Sequence, residues 1–222
     1  MVTGLASDLT ELIPLALVIA LSPLTIIPAI LMLHTPQPRP TSLAFLAGWV
    51  LGVGVITAAA VVASDLADGL DRKSPAAPYV RIVIGAALVV FGGYRWMTRH
   101  RAQHTPKWLN AMTSAGPGRA FLTGVTLTVA NVKVLAMCVA AGAAIGTAAL
   151  GRTGAWQAVA VFTALASASV ALPVLGYLVA GKQLDEPLNK LKRWMEDNHS
   201  AMVGVILVVI GAALLYKGIH GL

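Results

Sequence analysis

The sequence predicts an all-α integral membrane protein whose six transmembrane helices form a 3+3 inverted repeat. Three observations predict it. The 222 residues are 57% hydrophobic and only 11% charged, with a mean hydropathy of +0.78, which is too little charge to cover the surface of a soluble domain. Six apolar runs come close to or exceed the roughly 20 residues a helix needs to cross a hydrocarbon core about 30 Å thick. Each half of the chain holds three runs, the first of them interrupted in its middle. An odd number of spans turns the second half upside down relative to the first, and inverted repeats with broken helices mark secondary transporters.

The first run, about Glu11–Leu33, carries "SPLTIIP". Asp8 and Glu11 lie at its start with no Lys or Arg, and it is too long for a signal h-region, so it is expected to remain as a span. Pro23 has no N–H for the Ile19 carbonyl, and Pro28 has none for Leu24. Carbonyls freed in lipid must find donors. The Ser22 and Thr25 hydroxyls, or a cation from elsewhere, can supply them. A partly unwound segment is therefore expected over Ser22–Pro28.

The second run, Thr41–Ser64, follows Arg39 and contains Gly48, Gly52 and Gly54, which permit close helix packing within a protomer or between two. The third, Tyr79–Met97, contains "GAALVVFG" from Gly85, echoed by "GVILVVIG" from Gly204 in the sixth run, Ala201–Tyr216. The connection after the third run includes "PKWLNAM", readable as an interfacial helix or a solvated loop.

The fourth run, Phe121–Ala149, places Lys133 in "ANVKV". Lys133 lies about 21 Å along a helix from Arg119, beyond easy snorkelling. A central lysine facing lipid is disfavoured by about 2.5–3.5 kcal/mol, so it is expected to face the bundle interior. No run contains Asp or Glu between its ends. Three ways to accommodate the ammonium remain: the carbonyls freed near Ile19 and Leu24, an anionic substrate, or loss of the proton on burial. A lysine that only holds two broken helices together is the plain structural alternative.

In the fifth run, Trp156–Ala180, Pro173 frees the Ser169 carbonyl, with Ser167 nearby. Ser169 and Pro173 are second-tier site candidates, because Ser is commonly a small packing residue in membrane helices. Next comes "KQLDEPLNKLKRWMED". Leu184, Leu188, Leu191 and Met195 share one helical face, and Pro187 suits a first turn. An amphipathic helix over about 184–197 is expected in the cytoplasmic interface. The expected organisation is a single transmembrane domain, 1–222, with repeat one at about 9–98 and repeat two at about 118–220.

Ten Lys and Arg residues fall on one set of loops, among them Arg39, Arg99, Lys107, Lys182 and Arg193, against five on the other, including Arg72, Arg152 and Lys217. The positive-inside rule places the richer set in the cytoplasm of a plasma-membrane protein and both termini outside. The net charge of +7 reads as topology, and no nucleic-acid partner is expected. Cys138 is the only cysteine, so disulfides and cysteine metal sites are excluded. All five histidines fall at or beyond span ends, which argues against an enzyme. No cofactor or metal is expected.

"LSPLTIIPAILML" and "ANVKVLAM" resemble the paired signatures of the lysine-exporter (LysE) superfamily, Ser-Pro or Gly-Pro in the first helix and Asn-Pro-Lys in the fourth. Ser22-Pro23 matches the first, and Asn131 and Lys133 match the second. Val132 stands where the family has proline, which implies a less sharply broken fourth helix. The stretch from Ser22 to Gly52 is similar to the peptidoglycolipid-addressing (GAP) branch. That resemblance implies an exporter moving a glycolipid, peptidoglycolipid or other anionic lipid toward the cell surface, working as a homodimer. The site candidates are Lys133, Asn131, Ser22, Pro23, Thr25 and Pro28, with Ser169 and Pro173 behind them. An exporter of amino acids or small solutes and an accessory subunit of a lipid-export complex are the alternatives.

Overall fold

The computed structural model describes residues 12–71, 116–148 and 150–197. The described residues are helical. Helix α1 (Leu12–Ala20) leads into α2 (Pro23–Leu33), and α3 (Pro38–Asp71) follows. Next come α4 (Pro117–Ala130), α5 (Val132–Thr147) and α6 (Gly151–Ala180), then a 3₁₀ turn (Gly181–Leu184) and α7 (Asp185–Asp197). The predicted third and sixth runs, the "PKWLNAM" stretch and the Gly85–Gly204 echo lie outside the described residues.

Two helices are long and apolar enough to cross a membrane, α3 over Pro38–Ser64 and α6 over Gly151–Ala180. The count rises to four if α1–α2 and α4–α5 are each one bent span, with bends of 50° and 73°. The protein is thus a multi-pass integral membrane protein, helical throughout its described spans. The same order occurs twice along the chain: a broken pair, then a long helix.

Helix α3 is the hub. It packs against α4, α5, α6 and α2, and its Phe45, Trp49 and Val53 are fully buried. In lipid, close van der Waals fit replaces the hydrophobic drive between helices, and glycines provide that fit here. A Cβ on Gly48 would strike the Phe121 carbonyl of α4, while one on Gly124 would strike the Phe45 carbonyl of α3. On the α5 side, a Cβ on Gly142 would lie 2.6 Å from the Thr57 carbonyl. Gly54 differs, with only ordinary contact to Thr163 at 3.7 Å. Gly48 and Gly52 thus serve packing within the protomer.

Buried hydroxyls on these helices mostly bond their own backbone. Thr57 Oγ1 donates to the Val53 carbonyl at 2.8 Å, and Thr128 Oγ1 to the Val125 carbonyl at 2.7 Å. Such bonds place the hydroxyl proton within its own helix.

A smaller cluster closes one end. Ile26, Ile30 and Leu33 of α2 meet Tyr177 of α6 and Leu188 of α7, with Leu184 packed beside them. His34 Nδ1 lies 2.9 Å from the Ile30 carbonyl and Nε2 lies 3.3 Å from Asn189 Nδ2. A proton on Nδ1 satisfies both contacts, with Nε2 accepting from the amide. The expected amphipathic helix is present as α7, but its apolar face is divided. Leu188 is buried, whereas Leu191 and Trp194 are 41% and 54% exposed. Glu186 and Lys190 pair on its outer face at 2.6 Å.

Candidate functional site at two broken helices

Both breaks are made by one extended residue that caps the helix after it. At the first, Ser22 has φ −82° and ψ 121°, and Pro23 opens α2. Proline suits that position, since its missing N–H would have no intrahelical partner there. At the second, Asn131 has φ −86° and ψ 100°, closing α4 and opening α5. The similar dihedrals put Ser22 and Asn131 in matching roles in the two halves.

The two breaks are held differently. At Ser22 the polar groups are satisfied by the segment itself. The Ile19 carbonyl accepts from the Ser22 N–H at 3.2 Å and from Thr25 Oγ1 at 3.3 Å. Thr25 Oγ1 also lies 2.6 Å from the Ser22 carbonyl, which in turn accepts from the Thr25 N–H at 3.0 Å. The carbonyl that Pro23 orphans is therefore supplied locally, by the Ser22 N–H and by the longer arm of a Thr25 hydroxyl whose one proton also faces the Ser22 carbonyl. Of the donors the sequence offers for it, the neighbouring hydroxyls or a cation from elsewhere, a neighbouring hydroxyl is the one in contact. Ser22 and Thr25 are both buried, as is Pro28 inside α2.

At Asn131 a side chain does the work. Its N–H donates to the Leu127 carbonyl at 3.0 Å, ending α4. Its Oδ1 accepts from the Lys133 N–H at 3.2 Å, starting α5. Asparagine is among the strongest N-caps because its side-chain oxygen takes an amide that the first turn leaves orphaned. The helix is thus clearly broken with Val132 in place of a proline. The bend reaches 73°, more than the 50° at the proline-containing break.

Lys133 is the second residue of α5 and is half-buried. Its ammonium makes no hydrogen bond or ion pair among the described residues. Its neighbour Val134 is fully buried and joins Ile19 of α1 in one core cluster. Helix α2 rests on α3, α6 and α7, whereas α5 rests chiefly on α3.

The second-tier residues lie on α6, which runs as one helix through Pro173. The Ser169 hydroxyl is buried without a hydrogen-bond partner, as are those of Ser167 and Thr163. Thr163 and Ser167 are four residues apart and share a face, a polar strip that the sequence reading did not single out in full. Trp49 Nε1 and Thr41 Oγ1 are likewise buried and unpartnered. Among the described residues no group of three or more His, Cys, Asp and Glu side chains could hold a metal ion.

Among the described residues the Lys133 amine has no partner, and it lies at the start of a half-helix, where backbone N–H groups add partial positive charge. Such a place attracts an anion. Residues 12–220 match the family model described as Sap, sulfolipid-1-addressing protein. No curated protein and no solved structure matches. The match takes in both broken helices, the long helix after each, and Lys133, and so the chain belongs to the sulfolipid-addressing family, a GAP-like branch of the lysine-exporter superfamily.

Proposed function

We propose that the protein is a secondary carrier that moves an anionic glycolipid or peptidoglycolipid toward the cell surface. The observation that carries this reading is the Lys133 ammonium at the Asn131 break, which has no partner among the described residues. A charge kept inside a membrane bundle is costly unless function uses it, and an anionic headgroup is the partner its chemistry favours. The family's description, a sulfolipid-addressing protein, supports a cargo with a sulfated or otherwise anionic head.

In this proposal Lys133 holds the headgroup, and Asn131 keeps α5's first turn open beside it. Ser22, Pro23, Thr25 and Pro28 form the counterpart break in the other half. Ser169 and Pro173 line the path from α6. The acyl chains stay in the bilayer while the head crosses between the halves. The six spans form one 3+3 inverted repeat with both termini outside, and two protomers associate. Alternation between two accessible states is then a rocking of one repeat against the other, as such folds permit.

The test is untargeted lipid profiling of the cell surface in a strain lacking the protein. Loss of an anionic surface lipid, with its accumulation inside, is expected. Unchanged surface lipids with an accumulated amino acid would replace the proposal with a small-solute exporter. Surface delivery that survives loss of Lys133 but not loss of the protein would point to an accessory subunit.

A further inference from the structure

Two hollows adjoin on α6 away from the broken-helix site, the larger along its contact with α3 and the smaller on its first turns. The larger, about 920 Å³, is lined by Leu46, Val50 and Gly54 of α3 and by Trp156 and Val159 of α6, among others. The smaller, about 460 Å³, is lined by Arg152, Thr153 and Gln157. Trp156 and Ala160 line both, so the hollows form one groove. It is polar at the first turn of α6 and apolar beyond.

The dimensions suit an acyl chain. The apolar part borders α3 from Leu43 to Ala58, about 22 Å along the helix. One leaflet of hydrocarbon is about half of the roughly 30 Å core. The polar end is cationic. Arg152 is exposed and has no acidic partner among the described residues. Leu150, the N-cap of α6, offers no side chain to the first-turn amides, which add positive potential at the same end. Trp156 sits at the junction, half exposed, where an amphipathic ring suits the level of lipid headgroups. This end of α6 is opposite the end that meets α2 and α7.

We propose that this groove binds one anionic lipid, its headgroup on Arg152, Thr153 and Gln157 and one acyl chain along α3 and α6 past Trp156. The inference rests on the reading of the protein as an anionic-lipid carrier. With both termini outside, the groove opens to the outer leaflet. It then receives the lipid after the headgroup has left Lys133.

The test uses the full-length protein in nanodiscs containing phosphatidylglycerol with a photoreactive group on its acyl chain. A parallel preparation contains phosphatidylcholine with the same chain. Cross-linked peptides are mapped by mass spectrometry. Adducts are expected within residues 43–58 and 156–164, with phosphatidylglycerol favoured severalfold. Arg152→Gln should lower that preference about fivefold, and Arg152→Lys should keep most of it. Ala160→Phe, which fills the junction, should reduce adducts from both lipids. Equal yields from the two lipids in the unaltered protein would overturn the proposal, as would adducts falling elsewhere or an unchanged preference in Arg152→Gln. Groove adducts together with an amino-acid cargo would sink the carrier reading and leave the groove standing. Lipid export with no groove adducts would do the reverse.

Discussion

Replacing Asn131 by alanine removes the one side-chain acceptor at the second break, the Oδ1 that takes the Lys133 N–H at 3.2 Å. Losing an N-cap of this kind costs about 1 kcal/mol, within a range of about 0.5–2. Alanine is also the best helix former, so the extended conformation at residue 131 loses its support twice over. The expected consequence is a straighter span. From Gly118 to Thr147 a continuous helix would measure about 44 Å, whereas two segments meeting at the observed bend of 73° span about 35 Å. Both positions are exposed, and a side chain at Gly118 meets nothing within 4 Å. Spin labels at these sites, read by double electron–electron resonance, should therefore lengthen by about 9 Å in Asn131→Ala. Asn131→Asp and Asn131→Ser keep an acceptor and should stay near the shorter distance. If Asn131→Ala keeps the shorter distance, packing rather than the cap holds the break, and the account of the missing proline fails.

Three further outcomes follow from the packing and the topology. Gly142→Ala puts a methyl against the Thr57 carbonyl and Ala60 and should cost about 1–3 kcal/mol, while Gly118→Ala should not destabilise; thermal unfolding in detergent that ranks them the other way contradicts the close α3–α5 approach. Leu188→Ala, at a buried site on α7, should cost about 2 kcal/mol and speed limited proteolysis near Gly181–Leu184, whereas Leu191→Ala should leave the digestion rate unchanged. A cysteine at Gly69 should react with an impermeant reagent from outside and one at Gln37 should not, with buried Cys138 silent in both; the reverse pattern inverts the proposed orientation.

What the sequence made legible follows from how each feature is encoded. Proline announces a break, so one was legible at Ser22–Pro23, but the unwound segment expected over Ser22–Pro28 is corrected to a short turn at Leu21–Ser22, because α2 is helical from Pro23 on and takes Pro28 into its interior. The break at Asn131 was legible as a position, through the lysine beside it, but not in its sharpness. A cap is a hydrogen bond between neighbours, and Asn-Val-Lys does not reveal that Oδ1 will turn back to an amide. The contact of Thr25 with the Ile19 carbonyl was legible as one of the available donors, because the hydroxyl lies only six residues away. The division of α7's apolar face was not, because periodicity shows which residues share a face and not what covers it. The groove at Arg152 and Trp156 also escaped the reading. Its only local signal is a tryptophan beside an arginine at the start of a span, and the opposite wall comes from α3, about a hundred residues earlier. The polar strip of Thr163 and Ser167 could have been found by extending the Ser167–Ser169 observation one helical turn back.

The central claim is that the Lys133 charge holds an anionic lipid head. It is tested most directly by measuring that lipid at the surface of cells whose only copy of the protein is Lys133→Met, alongside the amount of protein in the membrane. The account predicts that surface delivery is abolished while membrane abundance is unchanged, and that Lys133→Arg restores part of it. Normal delivery by Lys133→Met would contradict the account and leave the lysine a purely structural residue.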